Sequence, residues 1–177
     1  EQLDSILRQT YPISEIIVQD DCSTDSTVAI LRSYAARDGR VRVIVNEHNL
    51  GFNRNFRSAV MKATADFVAI SDQDDVWMPD KIERQVEAIG QYNICYSDHL
   101  RGTTLEGAHT VSPRCSLEAL MFGGFAGHTM LLRRDFVQRD DVWMDGIYYD
   151  WSLGLNAYFH GDKAITHIGK PLNSHRS

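Results

Sequence analysis

The sequence lacks the features that mark several common classes of protein. It has no block of lysine and arginine, and its formal net charge of −6 argues against general affinity for nucleic-acid backbones. No apolar run approaches the roughly 20 residues of a transmembrane helix, and no signal peptide is recognised. Cys22, Cys95 and Cys115 form no CxxC pair, and no N-x-S/T sequon is present. These absences favour a reduced, cytosolic compartment.

The bulk composition is that of an ordinary globular protein. The chain has 177 residues, of which 43% are hydrophobic and 24% are charged, and this length fits one domain with a substantial core. The sequence does not begin with methionine and opens inside a predicted helix, so we expect a fragment truncated at both ends. We predict a single domain over 1–177, divided into two halves at 1–97 and 98–177.

The first half alternates short apolar runs with helical patterns. The runs at 16–18, 41–45 and 67–70 are typical of buried strands, and the segments at 28–34 and 53–63 between them have helical spacing. Alternation at this pitch predicts a doubly wound α/β fold, with a mostly parallel sheet and helices on both faces.

The second half has a less regular pattern. Residues 98–115 are polar and rich in glycine and threonine, which predicts a hairpin or a mobile loop, and 123–127 are predicted to be flexible. The remaining predicted elements are a helix ending at Gly90, a strand at 94–96, a helix at 117–122, a strand at 129–132, a helix beginning at Asp150 and a strand at 164–168.

A cluster of acids follows the strand at 67–70. Asp72, Asp74 and Asp75 come directly after it, at the edge of the sheet where open α/β folds bind ligands. Clustered carboxylates repel one another unless a cation lies between them, and hard oxygen ligands suit Mg²⁺ or Mn²⁺. The pattern therefore indicates a metal–diphosphate site.

The same acids allow two other interpretations. The cluster could be a solvated loop that caps the helix starting near Asp80. An EF-hand count from Asp72 is excluded, because Trp77 stands where that loop needs glycine.

A second strand, at 16–18, also runs into acids, Asp20 and Asp21. The carboxyl ends of parallel strands lie on one edge, so we expect this pair and the acids from Asp72 to Asp74 to face one pocket. The alternative is a turn with a helix cap, which is less favoured because Ser23 and Thr24 are available for capping.

Two stretches of the sequence resemble family 2 glycosyltransferases, which have the GT-A fold. EIIVQDDCSTDST, at 15–27, is similar to the family's IIVVDDGSTD segment. NLGFNRNFRSAVMKATADFVAISDQDDVWMPDKIE, at 49–83, is similar to its N-x-G-x-x-x-N, D-x-D-D and P-x-K motifs. The resemblance covers residues 1 to about 90 in order and spacing, and it is weaker from about 115 onward. The DQDDVW version resembles rhamnosyltransferase-like members that build bacterial cell-surface polysaccharides.

The resemblance implies an inverting, metal-dependent transferase. Asp72 and Asp74 would belong to the family's DXD motif, with Asp74 the first candidate for direct contact with Mg²⁺ or Mn²⁺. Asp150 matches the family's catalytic base, and Asp21 would contact the base of the nucleotide. The residues implied on the nucleotide side are Asp20, Asp21, Asn49, Gly51, Arg54, Asn55 and Asp72.

The implied partners are a UDP- or dTDP-sugar donor and a glycan or lipid-linked acceptor, with no nucleic acid. The half at 1–97 would bind the nucleotide sugar and the half at 98–177 would face the acceptor. The protein would be cytoplasmic, with a peripheral association at the inner face of the membrane. Two other functions stay open from the sequence. One is a nucleotidyltransferase, which would be expected to carry a glycine-rich basic loop that is not seen. The other is a non-catalytic module that binds nucleotide sugars.

The chain departs from the family pattern at several points. The family's first strand is absent, Tyr149 replaces an acid, and Cys22 replaces a glycine, so Cys22 would be strained if its φ is positive. His175 and Arg176 lie near the place of a family histidine that helps to hold metal or diphosphate, although a tail is equally expected there. His128 and His167 are expected to be structural.

Overall fold

The structure is a computed structural model, and it describes residues 1–102, 107–122, 124–160 and 164–175. Its elements, in chain order, are α1 (Gln2–Leu7), β1 (Ile16–Asp20), α2 (Thr27–Arg37), β2 (Val41–Val45), α3 (Phe52–Val60), β3 (Phe67–Ala69), β4 (Asp75–Trp77), α4 (Lys81–Ile89), β5 (Ile94–Arg101), β6 (His109–Val111), α5 (Leu117–Met121), β7 (Met130–Arg133), α6 (Arg134–Val137), α7 (Tyr149–Phe159) and β8 (Ile165–His175). Two short 3₁₀ helices cover Gly127–Thr129 and Asp140–Val142.

The chain forms two compact units. One unit joins Glu1–Pro12 to Phe67–Ser177, and the other is Ile13–Asp66. We call them the large unit and the small unit. The division into halves at residue 97 stays a prediction.

The small unit is built on one pair of parallel strands. β1 and β2 run in register from Ile16 opposite Val41 to Asp20 opposite Val45. Helix α2 connects them, as the alternating pattern predicted, and it contributes the buried side chain of Leu31. β1 therefore ends at the acids Asp20 and Asp21.

Cys22 has a left-handed backbone conformation, with φ of 69°. A side chain in this region crowds the following carbonyl oxygen, and glycine adopts it without that cost. The expected strain at the position where the family has glycine is therefore confirmed. The thiol of Cys22 lies 3.4 Å from the carbonyl oxygen of Asn46.

The large unit contains a six-stranded sheet with the order β3-β7-β5-β8-β4, and β6 pairs with β5. Only β5 and β8 are parallel among its described pairs, and the other four pairs are antiparallel. The α/β class is confirmed, but the strands of this unit are not mostly parallel as predicted. The sequence pattern locates the strands, whereas the pairing direction depends on connections such as the β5–β6 hairpin, which need no helical crossover.

Two elements differ in extent from their predictions. β4 lies inside the acidic stretch, where no strand was predicted, and β8 continues to His175 instead of ending at 168. β8 pairs with β5 from Ile165 to His175, with register shifts in β5 between Ser97 and Leu100, and its last three residues also pair with β4 on the other edge. Some of the predictions fall outside the described residues. They concern 103–106 of the predicted hairpin or loop, Gly123 of the predicted flexible segment, and Arg176.

The core of the large unit is apolar and fully buried. Ile94, Met130, Leu132, Leu153 and Leu172 are all inaccessible to solvent. None of the helices in the described ranges has both the length and the apolar character that a membrane crossing needs.

The strain at Cys22 predicts opposite effects for two substitutions. We expect Cys22→Gly to leave the free energy of unfolding unchanged or to raise it. Cys22→Val should lower it by about 1–3 kcal/mol, because a β-branched side chain tolerates positive φ poorly. Urea unfolding of the two variants checks this, and equal stabilities would contradict the strain.

Candidate active site

The acids after β3 form a tight loop in the large unit. The backbone N–H of Asp72 donates to Asp75 Oδ2 at 2.8 Å, and the N–H of Asp75 donates to the carbonyl oxygen of Asp72 at 3.2 Å. From α1, the side-chain amide of Gln2 donates to Ser71 Oγ and to the carbonyl oxygen of Asp72. The loop is therefore fixed by its own backbone and by the first helix.

Strand pairing brings a histidine to this loop. The register of β4 and β8 places His175 opposite Asp75. His175 Nδ1 lies 3.3 Å from Asp75 Oδ1 and 3.4 Å from Asp74 Oδ1. The structure therefore brings His175 to the acids across 100 residues of sequence.

A second histidine packs against the first. His128, in the turn Gly127–Thr129, is 4% exposed, and its ring stacks on that of His175 with centroids 4.8 Å apart. Its Nδ1 lies 2.7 Å from Nδ2 of the buried Asn173 and 3.6 Å from Asp75 Oδ1. The ring of His99 lies edge-on to the ring of His128, with their centroids 4.9 Å apart. His128 is thus part of a polar cluster, whereas His167 pairs with Asp98, as expected of a structural histidine.

Burial shifts the pKa values of this cluster in opposite directions. Burial and the charge of Asp74 raise the pKa of Asp72 to about 6, and burial raises the pKa of Asp75 to about 7. Burial lowers the pKa of His128 to about 3 and that of His99 to about 4. Near neutral pH these histidines are uncharged, so the cluster is rich in electron pairs and poor in positive charge.

The cluster fits a divalent cation. Ligand atoms of Asp72, His128 and His175 lie within 4.8 Å of one another, and so do those of Asp74, Asp75 and His175. Asp72 Oδ1 is buried and has no hydrogen-bond partner among the residues that the structure describes. Carboxylate oxygens and neutral imidazole nitrogens are suitable ligands for such an ion. Asp72 and Asp74, the two acids singled out in the sequence, thus belong to different groups that share His175.

A buried lysine lies beside the cluster. Lys81, at the start of α4, is completely inaccessible; its Nζ is 3.3 Å from the carbonyl oxygen of His128 and 5.3 Å from the centroid of the Trp77 ring. Burial lowers its pKa to about 8, against the opposing effect of Asp75. Sequence reasoning missed Lys81 as a site residue. Its helical spacing to Gln85 and Ile89, both buried, was the available signal.

Asp150 lies in the first turn of α7. Its Oδ2 accepts the backbone N–H of Gly127 at 3.2 Å, and its Oδ1 accepts the N–H of Trp151 at 2.9 Å. Burial raises its pKa. The charge of Asp150 also contributes to raising the pKa of Asp72, so the two carboxylates act on one another within the large unit.

Tyr149 packs next to this carboxylate. It is buried, and burial together with the charges of Asp72, Asp150 and Asp75 raises its pKa. A β-carbon on Gly127 would overlap Tyr149 Oη, so only glycine fits at that position without moving the ring. The aromatic residue in place of the family's acid therefore helps to enclose Asp150.

The other candidate residues lie in the small unit, around the loop after β2. Asp21 accepts hydrogen bonds from the N–H groups of Leu50 and Gly51 and from Nδ2 of Asn46, and the bond from Leu50 is the main cause of its lowered pKa. Asn49 donates to the carbonyl oxygen of Asp21. The structure therefore joins Asp21, Asn49 and Gly51 in one hydrogen-bonded loop.

The remaining three candidates flank this loop. Asp20 is buried and accepts the N–H of Ser23 at 2.9 Å. Asn55, in α3, accepts from Asn46 and donates to the carbonyl oxygen of Gln19. Arg54 is exposed. The contacts of all these residues with a nucleotide, and one pocket shared with Asp72, stay predictions.

The raised pKa of Asp75 predicts a pH-dependent effect of Asp75→Asn. The folded protein holds this proton up to about pH 7, whereas the unfolded chain releases it near the ordinary value of 3.8. The contribution of Asp75 to stability is therefore complete at low pH and is lost as the pH rises through 7. We expect the free energy of unfolding of Asp75→Asn, relative to the wild type, to increase by about 1–2 kcal/mol from pH 5 to pH 8.

Urea unfolding in EDTA at the two pH values measures this difference. Asp145→Asn, which removes the same charge from an exposed position, is the control and should show no pH-dependent difference. A constant difference for Asp75→Asn would show that the carboxyl ionises normally.

Comparison with known proteins gives one family. The family model described as Glycosyl transferase family 2 matches residues 1–139. TuaG of Bacillus subtilis (strain 168), whose name assigns it provisionally as a glycosyltransferase of teichuronic acid biosynthesis, is 39% identical over 93 residues, which are 52% of this chain and 37% of TuaG. The chain thus spans well under half the length of that relative.

Two solved structures have a similar fold. S. aureus TarS 1-349 in complex with UDP has a TM-score of 0.76 at 19% identity, over 100% of this chain and 56% of that one. The mannosyltransferase PcManGT from Pyrobaculum calidifontis, in complex with GDP-Man and Mn²⁺, has a TM-score of 0.71 at 20% identity, over 99% of this chain and 51% of that one. At these identities the likeness concerns the fold, which is the GT-A fold.

Proposed function

The chain belongs to glycosyl transferase family 2, and we propose that it moves a sugar from a UDP- or dTDP-linked donor to an acceptor hydroxyl in polysaccharide biosynthesis, with inversion at the anomeric carbon. The observation that carries the proposal is the position of Asp150, a carboxylate with a raised pKa, within electrostatic reach of the metal-compatible acid and histidine cluster. A base beside a cation site is what displacement of a diphosphate requires.

The acidic loop would hold the ion. Asp72 and Asp74 are the proposed carboxylate ligands for Mg²⁺ or Mn²⁺. His175 belongs to both groups of potential ligand atoms. Bound there, the ion would supply a Lewis acid that neutralises the charge on the leaving nucleoside diphosphate. The unpartnered Asp72 Oδ1 and the Mn²⁺ in the PcManGT complex support this assignment.

Asp150 would act as the base. Its carboxylate takes the proton from the acceptor hydroxyl while the hydroxyl oxygen forms a bond to the anomeric carbon, and the bond from that carbon to the diphosphate oxygen breaks on the opposite face. The hydrogen bonds from Gly127 and Trp151 orient the carboxylate. Burial keeps its basicity above that of an exposed aspartate.

The small unit would hold the nucleotide. Asp21, Asn49 and Gly51 build a loop whose shape is set by hydrogen bonds, and the exposed Arg54 supplies a positive charge for the donor. The residues of the small unit proposed for this role are Asp20, Asp21, Asn49, Gly51, Arg54 and Asn55. Asp72 is proposed for donor binding through the ion of the large unit. The proposed acceptor is a glycan or a lipid-linked sugar.

Nucleotide binding tests the cation site. We expect the full-length protein to bind UDP or dTDP more tightly with Mn²⁺ than without it, because a bound ion would offset the charge of the diphosphate. Asp74→Ala should lose that metal dependence, because Asp74 is one of the residues that would hold the ion. Calorimetry with both nucleotides measures this. Asp145→Ala is the matched control, since it removes an exposed acid. Absence of binding to either nucleotide by folded protein would refute the proposal.

Substitution of the base tests the chemistry. We expect Asp150→Asn to lower kcat for sugar transfer by at least ~100-fold, because proton removal is lost while the side chain keeps its shape. Nucleotide affinity should stay at the wild-type level. Asp145→Asn, five residues earlier and exposed, should keep full activity. Native activity in a folded Asp150→Asn protein would remove Asp150 from the mechanism, and donor binding without any turnover in the wild type would indicate a non-catalytic module.

A further inference from the structure

We propose that Phe122 and Tyr148 form an aromatic platform beside Asp150, and that this platform binds the acceptor through the apolar face of a pyranose ring. The inference rests on the proposed function, because it concerns the molecule whose hydroxyl Asp150 would deprotonate. It names the chemical class of that molecule and two residues that contact it. Neither residue lies in the stretches that resemble the family.

The first argument is the exposure of the two aromatic side chains. Phe122 is 86% exposed and Tyr148 is 67% exposed, the largest exposed fractions among the large apolar side chains in the described part of the large unit. Each ring keeps a large apolar area in contact with water, which a ligand with an apolar face of its own would cover. Single exposed apolar side chains are common in proteins, so the position of these two decides their role.

The second argument is that the chain around Phe122 packs against the first turn of α7, where Asp150 lies. Two residues before Phe122, the carbonyl oxygen of Leu120 accepts a hydrogen bond from the indole N–H of Trp151. Two residues after it, a β-carbon on Gly124 would lie 3.9 Å from Cα of Trp151. The segment that carries Phe122 therefore contacts the neighbour of Asp150 on both sides of Phe122.

Backbone hydrogen bonds hold both residues of the platform. The N–H groups of Phe122 and Gly124 donate to the carbonyl oxygen of Ala119, at 3.3 Å and 2.9 Å. Tyr148 directly precedes α7, and its carbonyl oxygen accepts the N–H of Ser152 at 3.0 Å. The two rings thus extend from fixed backbone positions, which reduces the entropy that is lost when a ligand binds.

The third argument is the charge of the surrounding sequence. The stretches 115–132 and 140–160, which supply the platform and Asp150, contain acids but neither lysine nor arginine. Phosphate groups and anionic lipid surfaces are bound through such cations, so their lack favours an uncharged ligand. A pyranose ring fits, because its C–H bonds form an apolar face that packs on an aromatic ring. Its hydroxyls stay at the rim of the ring, available to the carboxylate of Asp150.

Saturation-transfer NMR tests the platform on the full-length protein in the presence of UDP and Mg²⁺, with methyl β-D-glucopyranoside as the probe. We expect Phe122→Ala and Tyr148→Ala each to weaken binding of the probe by about fivefold or more, because each removes a stacking surface. Tyr148→Phe keeps the ring and should bind like the wild type. Ribitol, which has hydroxyls but no ring, should bind at least about fivefold more weakly than the glucopyranoside.

Phe159→Ala is the matched control. Phe159 is 65% exposed and ends α7, so the rise of the helix places it roughly 13 Å from Asp150 along the helix axis. This variant should bind the glucopyranoside like the wild type. Thermal unfolding followed by circular dichroism verifies that each variant is folded. In the wild type, saturation should be strongest on the axial protons of one ring face, a readout that needs no variant.

The outcomes separate this inference from the proposed function. Unchanged affinity in Phe122→Ala and Tyr148→Ala, equal binding of ribitol, or no glucopyranoside binding by a wild type that binds UDP would overturn the inference alone. A loss in Phe159→Ala as large as in Tyr148→Ala, with cosedimentation of the wild type and phosphatidylglycerol vesicles, would show a membrane-binding face instead. A folded wild type that binds neither UDP nor the glucopyranoside would overturn both proposals.

Discussion

The large unit is organised by one electrostatic constraint: several hydrogen-bond acceptors are buried together with few donors. Asp72, Asp75 and His128 are drawn into the protein by strand pairing and by packing, and burial makes the carboxylates hold protons and the histidines release them. The buried ammonium group of Lys81 lies on one side of this cluster and offsets part of its negative charge. The chain maintains an arrangement that is unfavourable by itself and that a bound cation would relieve.

The base is supported by the same surroundings. In the turn Gly127–Thr129, the backbone N–H of Gly127 donates to Asp150, and the next residue is His128. Tyr149 fills the space above Gly127, which has no side chain to obstruct it. One short turn therefore positions both the proposed base and a buried histidine of the acid and histidine cluster.

Much of this arrangement could be predicted from the sequence, and the rest depends on long-range pairing. The apolar runs located β1, β2 and β3, and the motifs pointed to Asp72, Asp74 and Asp150. β4 escaped prediction because three residues inside an acidic stretch carry no periodicity. The partnership of Asp75 with His175 follows from the register of β4 and β8, which no local pattern encodes. The proximity of His128 to Asp75 could not be predicted either, because its neighbours in the sequence are apolar and only the tertiary structure brings its ring to the acids.

The long strand β8 has a consequence for how this protein can vary among its relatives. Its last residues pair with β4 in strict alternation, so the loss or gain of one residue after Leu172 would turn His175 to the opposite face of the sheet and bring a neighbour to Asp75. The pairing of the same strand with β5 is irregular between Ile168 and Ser174, so the pairing with β5 does not by itself fix which residue faces Asp75. The three paired residues of β4 set that position, and a change of length within 173–175 is therefore excluded while His175 is to lie beside Asp75.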